Sequence, residues 1–130
     1  MKIILLADDD FDDLQLLEEA FLEADPLAIA AKVSNGKEAL EYLGKCDSAN
    51  LPCAIVLDYN MPVFTGAEVL ERICKDPRYD SIPKFVWSTS NTSTYIKECL
   101  ANGALNYFVK PDSPAKLSAL AQEVLAACHS

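Results

Sequence analysis

Residues 3–10 read Ile-Ile-Leu-Leu-Ala-Asp-Asp-Asp, and residues 53–58 repeat the arrangement as Cys-Ala-Ile-Val-Leu-Asp. In each, a short apolar run stops abruptly at carboxylates. A strand covered by helices on both faces reads as such an unbroken apolar run, so the acid at its end marks the polar edge of a buried parallel sheet. Three further runs, Ala28 to Val33, Lys84 to Ser88 and Asn106 to Val109, bring the strand candidates Ile3 to Ala7 and Cys53 to Leu57 to five. Between the runs lie amphipathic stretches. Leu14, Leu17, Phe21 and Ala24 step by three and four, as do Leu117, Leu120, Val124 and Cys128, which predicts a helix with one apolar stripe in each place. Shorter helices are expected over Glu38 to Leu43, Glu68 to Lys75 and Tyr95 to Ala101, with Gly44 and Gly103 as stops and Asp76-Pro77 closing the third. The alternation predicts an α/β fold: a flavodoxin-like (βα)5 unit, a doubly wound five-stranded parallel sheet of strand order 2-1-3-4-5.

Composition narrows the possible functions. The chain has 130 residues, 51% hydrophobic and 24% charged, which fits a single domain. Eleven Lys and Arg against twenty Asp and Glu give a net charge of −9, so no nucleic-acid partner is expected. Ile3 to Ala7 is too short for a membrane span or a signal h-region, and a soluble, cytoplasmic protein is expected, with no membrane partner. Cys46, Cys53, Cys74, Cys99 and Cys128 form no C-x-x-C pair, which argues against a zinc site or a disulfide framework and for reduced, mostly packed thiols. The one histidine, His129, stands next to the C-terminus, too isolated to anchor a nucleophilic pair.

In this strand order, ligands bind over the carboxyl ends of strands 1 and 3. Strand 1 ends in Asp8-Asp9, strand 3 in Asp58, strand 4 in Ser88 and strand 5 in Lys110. With strands about 4.8 Å apart, three carboxylates crowd at the centre, flanked by a hydroxyl and an ammonium. Carboxylates that close repel one another unless a cation is present, and an all-oxygen donor set selects a hard ion such as Mg²⁺. Lys110 and Ser88 supply a charge and a hydrogen bond to a phosphoryl group. The set therefore points to phosphoryl chemistry with a carboxylate nucleophile. Each residue alone has an ordinary use: Asp8 to Asp10 as helix-capping acids, Asp58 in a loop, Lys110 on the surface, Ser88 to Thr94 as a capping loop. It is their common placement at strand ends that makes a site.

Asp8-Asp9, Asp58-Tyr59-Asn60-Met61-Pro62 followed by Gly66, Ser88, and Tyr107-Phe108-Val109-Lys110-Pro111 resemble the receiver domain of two-component response regulators, the CheY-like family, over the whole chain. The resemblance implies that Asp58 accepts phosphate from a histidine kinase or histidine phosphotransfer protein. It implies that Asp8, Asp9, Asp58 and the backbone carbonyl of Asn60 hold Mg²⁺, and that Lys110 contacts the phosphoryl group. It makes Ser88 and Tyr107 the switch pair, Asn60 and Ser90 the positions that tune dephosphorylation, and Lys110-Pro111 a cis bond. Thr65 stands where the family usually has Asp, with little effect on the chemistry expected. The long first helix, its loop, and Lys45 to Pro52 resemble single-domain regulators that pair with phytochrome-type kinases. After Pro111 only a fifth helix is expected, so the reading is one receiver domain, residues 1–130, without an output domain. Such a domain catalyses its own phosphorylation and dephosphorylation without being a conventional enzyme, and signals to a downstream protein the sequence does not identify.

Two rival readings remain. Asp8-Asp9-Asp10 can be read as the D-x-D of a haloacid dehalogenase-like phosphatase with Asp8 as nucleophile, although no acidic pair follows Lys110 and Asp12 stands where that motif prefers Thr or Val. The other rival is an interaction module that keeps the fold and is never phosphorylated.

Overall fold

A computed structural model describes residues 2–128, so His129 lies outside the described residues. The strands are β1 (Ile3–Ala7), β2 (Ile29–Val33), β3 (Ala54–Asp58), β4 (Lys84–Ser88) and β5 (Asn106–Val109). They form one sheet of order β2-β1-β3-β4-β5, parallel throughout. The helices α1 (Phe11–Ala24), α2 (Gly36–Lys45), α3 (Gly66–Ile73), α4 (Ser93–Ala101) and α5 (Pro114–Ala127) connect them. Both the fold class and the strand order agree with the sequence reading.

Side chains alternate along each central strand between two apolar layers. Ile4, Leu6, Val56, Phe85 and Trp87 pack with Leu14, Leu17 and Phe21 of α1 and Leu120 and Val124 of α5. On the other face Leu5, Ile55, Leu57 and Val86 pack with Ala39 and Leu43 of α2, Val69, Leu70 and Ile73 of α3 and Cys99 of α4. Strands β3 and β4 are buried at every position, whereas β2, on the sheet edge, is half open. That is why the central runs are unbroken in sequence and the edge run is interrupted by Lys32.

Several boundaries differ from expectation. Strand β3 reaches Asp58, one residue beyond the expected end, because Asp58 stays in register with Trp87 and Tyr59 N donates to Trp87 O at 3.1 Å. Gly44 does not stop α2, which runs to Lys45 with Cys46 as its cap. Its backbone is not left-handed, unlike that of Gly103, which at φ +100° ends α4 as expected. Helix α3 closes at Cys74, and Asp76-Pro77 instead begins a single 3₁₀ turn, with Asp76 Oδ1 accepting from Arg78 N at 3.0 Å. No described peptide bond is cis, so Lys110-Pro111 is trans, contrary to expectation. The two isomers of an X-Pro bond differ by only about 0.5–1 kcal/mol, so surroundings rather than sequence select between them. Among the described residues no helix is long and apolar enough to cross a membrane.

Candidate functional site

The carboxyl edge of the sheet brings the expected residues together. Asp8 and Asp58 are buried, Asp9 is exposed, and carboxylate oxygens of all three lie within 4.8 Å of one another. Asp8 Oδ1 accepts from Asp10 N at 2.8 Å, turning the chain from β1 into α1, while Asp10 caps that helix by accepting from Asp12 N and Asp13 N. Of the three acids, only Asp10 thus serves the capping use that each could have had. Asp58 Oδ1 accepts from Asn60 N at 3.3 Å.

Lys110 enters from the end of β5. Its Nζ donates to Asp8 Oδ2 and to Asp13 Oδ2, both at 2.8 Å, and lies 3.6 Å from Asp58 Oδ2. Burial disfavours its charge, but hydrogen bonds to Asp13 and Asp8 and the charge of Asp58 outweigh that, so its pKa is raised. The ammonium also stands 4.8 Å from the centre of the Trp87 ring. Asp58 is pushed from the ordinary carboxylate range up to about 7, first by burial and then by the charge of Asp8, with Lys110 working the other way. A carboxylate that crowded is the kind of group a divalent cation relieves. Three convergent carboxylates without His or Cys suit Mg²⁺ or Mn²⁺.

The loop after β3 is built for close approach. A Cβ on Gly66 would lie 2.7 Å from the backbone oxygen of Asp58, so this position admits only glycine without displacing the end of β3. Thr65, the departure noted in the sequence, caps α3 instead of facing the acids. Its Oγ1 accepts from Glu68 N while Glu68 Oε1 accepts from Thr65 N, a reciprocal capping box. Val63 holds φ at 70°, which a β-branched residue rarely adopts, with its side chain largely in solvent. The constraint falls five residues after Asp58, where the loop turns back toward α3.

Ser88 is fully buried, and its Oγ accepts from Ser90 N at 3.1 Å. Tyr107 is half-buried against the core, and its hydroxyl donates to Ser90 O at 2.7 Å. Ser88 and Tyr107 therefore meet through the backbone of Ser90. The Ser90 hydroxyl itself pairs with Thr92 Oγ1 at 2.7 Å.

Three participants were missed in the sequence. Asp13 joins Lys110; it was visible only as one more acid in the first turn of a helix that leaves the site. Trp87 read as an apolar core residue, yet it underlies the Lys110 ammonium, and its Nε1 is the one fully buried side-chain donor without a partner among the described residues. Tyr59, next to Asp58, donates to Glu98 Oε1 at 2.9 Å and stacks on Tyr95 with ring centres 4.2 Å apart, joining the β3 end to α4. No local pattern couples positions that far apart.

Comparison with known proteins agrees with this geometry. The response regulator receiver domain family matches residues 4–122. The two-component response regulator ORR5 of Oryza sativa subsp. japonica is 34% identical over 122 residues, covering 94% of this chain and 87% of that protein. Among solved structures, the phosphorylated cyanobacterial phytochrome response regulator RcpA superposes with a TM-score of 0.83 at 31% identity, covering 95% of this chain and 90% of that one. The Mn²⁺-bound form of response regulator Rcp1 also gives 0.83, at 25% identity, covering 97% and 93%. The chemotaxis response regulator CheY4 of Vibrio cholerae gives 0.81 at 27% identity, over 95% and 98%. None of these similarities favours the phosphatase or the unphosphorylated-module reading.

Proposed function

This chain belongs to the response regulator receiver domain family, and from that premise we propose that Asp58 is its phosphoacceptor, with Mg²⁺ held by Asp8, Asp9, Asp58 and the carbonyl of Asn60. The observation that carries the reading is the position of Asp58: buried at the end of β3, grouped with Asp8 and Asp9, and 3.6 Å from the Lys110 ammonium. Bound Mg²⁺ supplies positive charge to the transferring phosphoryl group. A carboxylate oxygen of Asp58 forms a bond to phosphorus as the phosphorus–nitrogen bond of a phosphohistidine donor breaks, and the imidazole nitrogen keeps the electron pair. Lys110 then exchanges Asp13 for phosphoryl oxygens, and the Ser88 hydroxyl turns from Ser90 N–H to donate to another. Asn60, whose N–H donates to Asp58 Oδ1, and Ser90, whose N–H donates to Ser88 Oγ, stand beside these residues, which suits them to set the phosphoryl lifetime.

The donor is a histidine kinase or a histidine phosphotransfer protein, as the family implies. Incubation with acetyl phosphate and Mg²⁺ is expected to add one phosphate by intact mass, and Asp58→Asn to abolish it. Phosphorylation that survived Asp58→Asn and was lost in Asp8→Asn would move the nucleophile to β1 and overturn the reading.

A further inference from the structure

At the opposite end of the sheet from Asp58, two half-buried cysteines meet. Cys53 immediately precedes β3, its N–H donating to Ile3 O at 2.7 Å, and Cys128 caps the C-terminus of α5, its N–H donating to Leu125 O at 3.1 Å. Their sulfur atoms are 2.6 Å apart although the residues are separated by 75 positions. A disulfide bond is about 2.05 Å long, so forming one needs only a small further approach by groups that the fold already holds together. We propose that Cys53 and Cys128 are a reversible dithiol–disulfide site, oxidised by small-molecule disulfides, that ties the end of α5 to the foot of β3.

One hydrogen bond links the two sulfurs, so deprotonating one of them is favoured while the other keeps its proton. The hydrogen bond shared with Cys128 is the largest influence on Cys53, opposing the effect of burial and bringing its pKa down to about 7. The same bond, with burial, pushes Cys128 up. Whichever sulfur is deprotonated attacks first. When that is Cys53, it displaces one thiolate from the disulfide reagent, RSSR, to give a mixed disulfide, Cys53–S–SR. Cys128 then loses its proton to solvent and attacks the Cys53 sulfur, expelling the second RS⁻. Overall two protein thiols become one disulfide and RSSR is reduced to two RSH. Disulfides in reducing compartments are usually transient and regulatory, which suits a pair that a dithiol can reopen.

The other thiols lack this arrangement. Cys46 and Cys74 donate to the carbonyls of Tyr42 and Glu71, and Cys99 is buried in the opposite layer of the core. The bridge would close a long loop and restrict the unfolded chain while fixing α5 on the sheet. Because β3 separates Cys53 from Asp58 by five residues, about 16 Å, phosphoacceptor chemistry should be unaffected.

The test is oxidation with glutathione disulfide, blocking of remaining thiols, and digestion without reduction before mass spectrometry. A Cys53–Cys128 cross-linked peptide is expected as the main product, with the intact protein lighter by two hydrogen atoms and restored by dithiothreitol. The oxidised protein should melt about 5–15 °C higher. Cys128→Ser should stop at a glutathione adduct on Cys53. Wild-type protein carrying glutathione adducts without a cross-link, or cross-linking other cysteines as readily, would overturn the proposal, and this readout needs no variant to fold.

Discussion

Lys110 Nζ lies 2.8 Å from Asp13 Oδ2, nearer than the 3.6 Å that separates it from Asp58 Oδ2. The ammonium is held by Asp13 and equally closely by Asp8, so on the proposed reading it must leave Asp13 to meet a phosphoryl group. Asp13 is then expected to act as a positioning residue for the unphosphorylated state.

Asp13→Asn should shift the balance toward phosphorylation. The Asp13 carboxylate is partly open to solvent, so screening limits what the ion pair contributes to about 1 kcal/mol, equivalent to a change of up to about fivefold in an equilibrium ratio. The steady-state phosphorylated fraction under acetyl phosphate, read by intact mass, should rise while the fold remains intact. An unchanged fraction would make the contact incidental.

Asp58 should make the metal-free protein less stable as pH rises. Its folded pKa of about 7 stands above the ordinary 3.8, so between these values the native state holds a proton that the unfolded chain has released. Stability from this group is thus fully present below about pH 4 and is lost as pH rises through 7. Asp58→Asn removes the buried charge beside Asp8 and should stabilise the protein at pH 8 by about 2 kcal/mol or more, with little effect at pH 4. Urea unfolding midpoints of both proteins across this range check the prediction. Parallel curves would mean that Asp58 titrates normally.

Mg²⁺ should bind at the acidic cluster with a signal from the only tryptophan. Trp87 lies under the Lys110 ammonium, so a cation that draws Asp8 and Asp58 away from Lys110 alters the field at the indole. Asp9→Ala removes one of the clustered carboxylates and should weaken Mg²⁺ about tenfold or more by fluorescence titration or calorimetry. Lys110→Ala leaves Asp8 and Asp58 buried without their cation, so it should still fold yet be destabilised by about 2–4 kcal/mol, largely recovered with Mg²⁺. Wild-type affinity in Asp9→Ala would place the metal elsewhere.

What was legible in the sequence follows from period and placement. The buried strands β1, β3 and β4 are continuous apolar runs, and the residues that end them lie over one edge once the strand order is given, so Asp8, Asp9, Asp58, Ser88 and Lys110 could be named together. Helix ends such as Gly44 were not legible, because a glycine stops a helix only where the chain needs a left-handed backbone. Asp13, Trp87 and the Tyr59–Glu98 pair were hidden for another reason: each acts through a side chain crossing between elements, which periodicity does not encode. The Cys53–Cys128 approach joins positions 75 residues apart in the same way.

The read-out of phosphorylation should pass through Ser90. Ser88 Oγ accepts from Ser90 N, and Tyr107 donates to Ser90 O, so one residue holds both side chains in a single arrangement. Tyr107 is already half-buried here, so any movement on phosphorylation would have to change its partner as well as its burial. A phosphoryl group on Asp58 brings charge and acceptor oxygens that draw the Ser88 hydroxyl off Ser90. The loop before α4 is then released, and the Tyr107 hydroxyl loses the fixed position of its acceptor. Because Tyr59, the residue after Asp58, bonds to Glu98 and stacks on Tyr95, phosphorylation should reach α4 from a second side as well. A ligand shifts such an equilibrium only by its differential interaction with the two states, so a coupling of about 1–3 kcal/mol is expected. Ser88→Ala should accept phosphate yet lose at least about half of the beryllofluoride-induced chemical-shift change over residues 95–110, since one leg of the Ser90 linkage is gone before the ligand arrives. Tyr107→Phe should cost about 1 kcal/mol of stability for its lost hydrogen bond and blunt the same response. A full-sized response in both variants would show that α4 and β5 move without Ser90, leaving the Tyr59–Glu98 contact as the route.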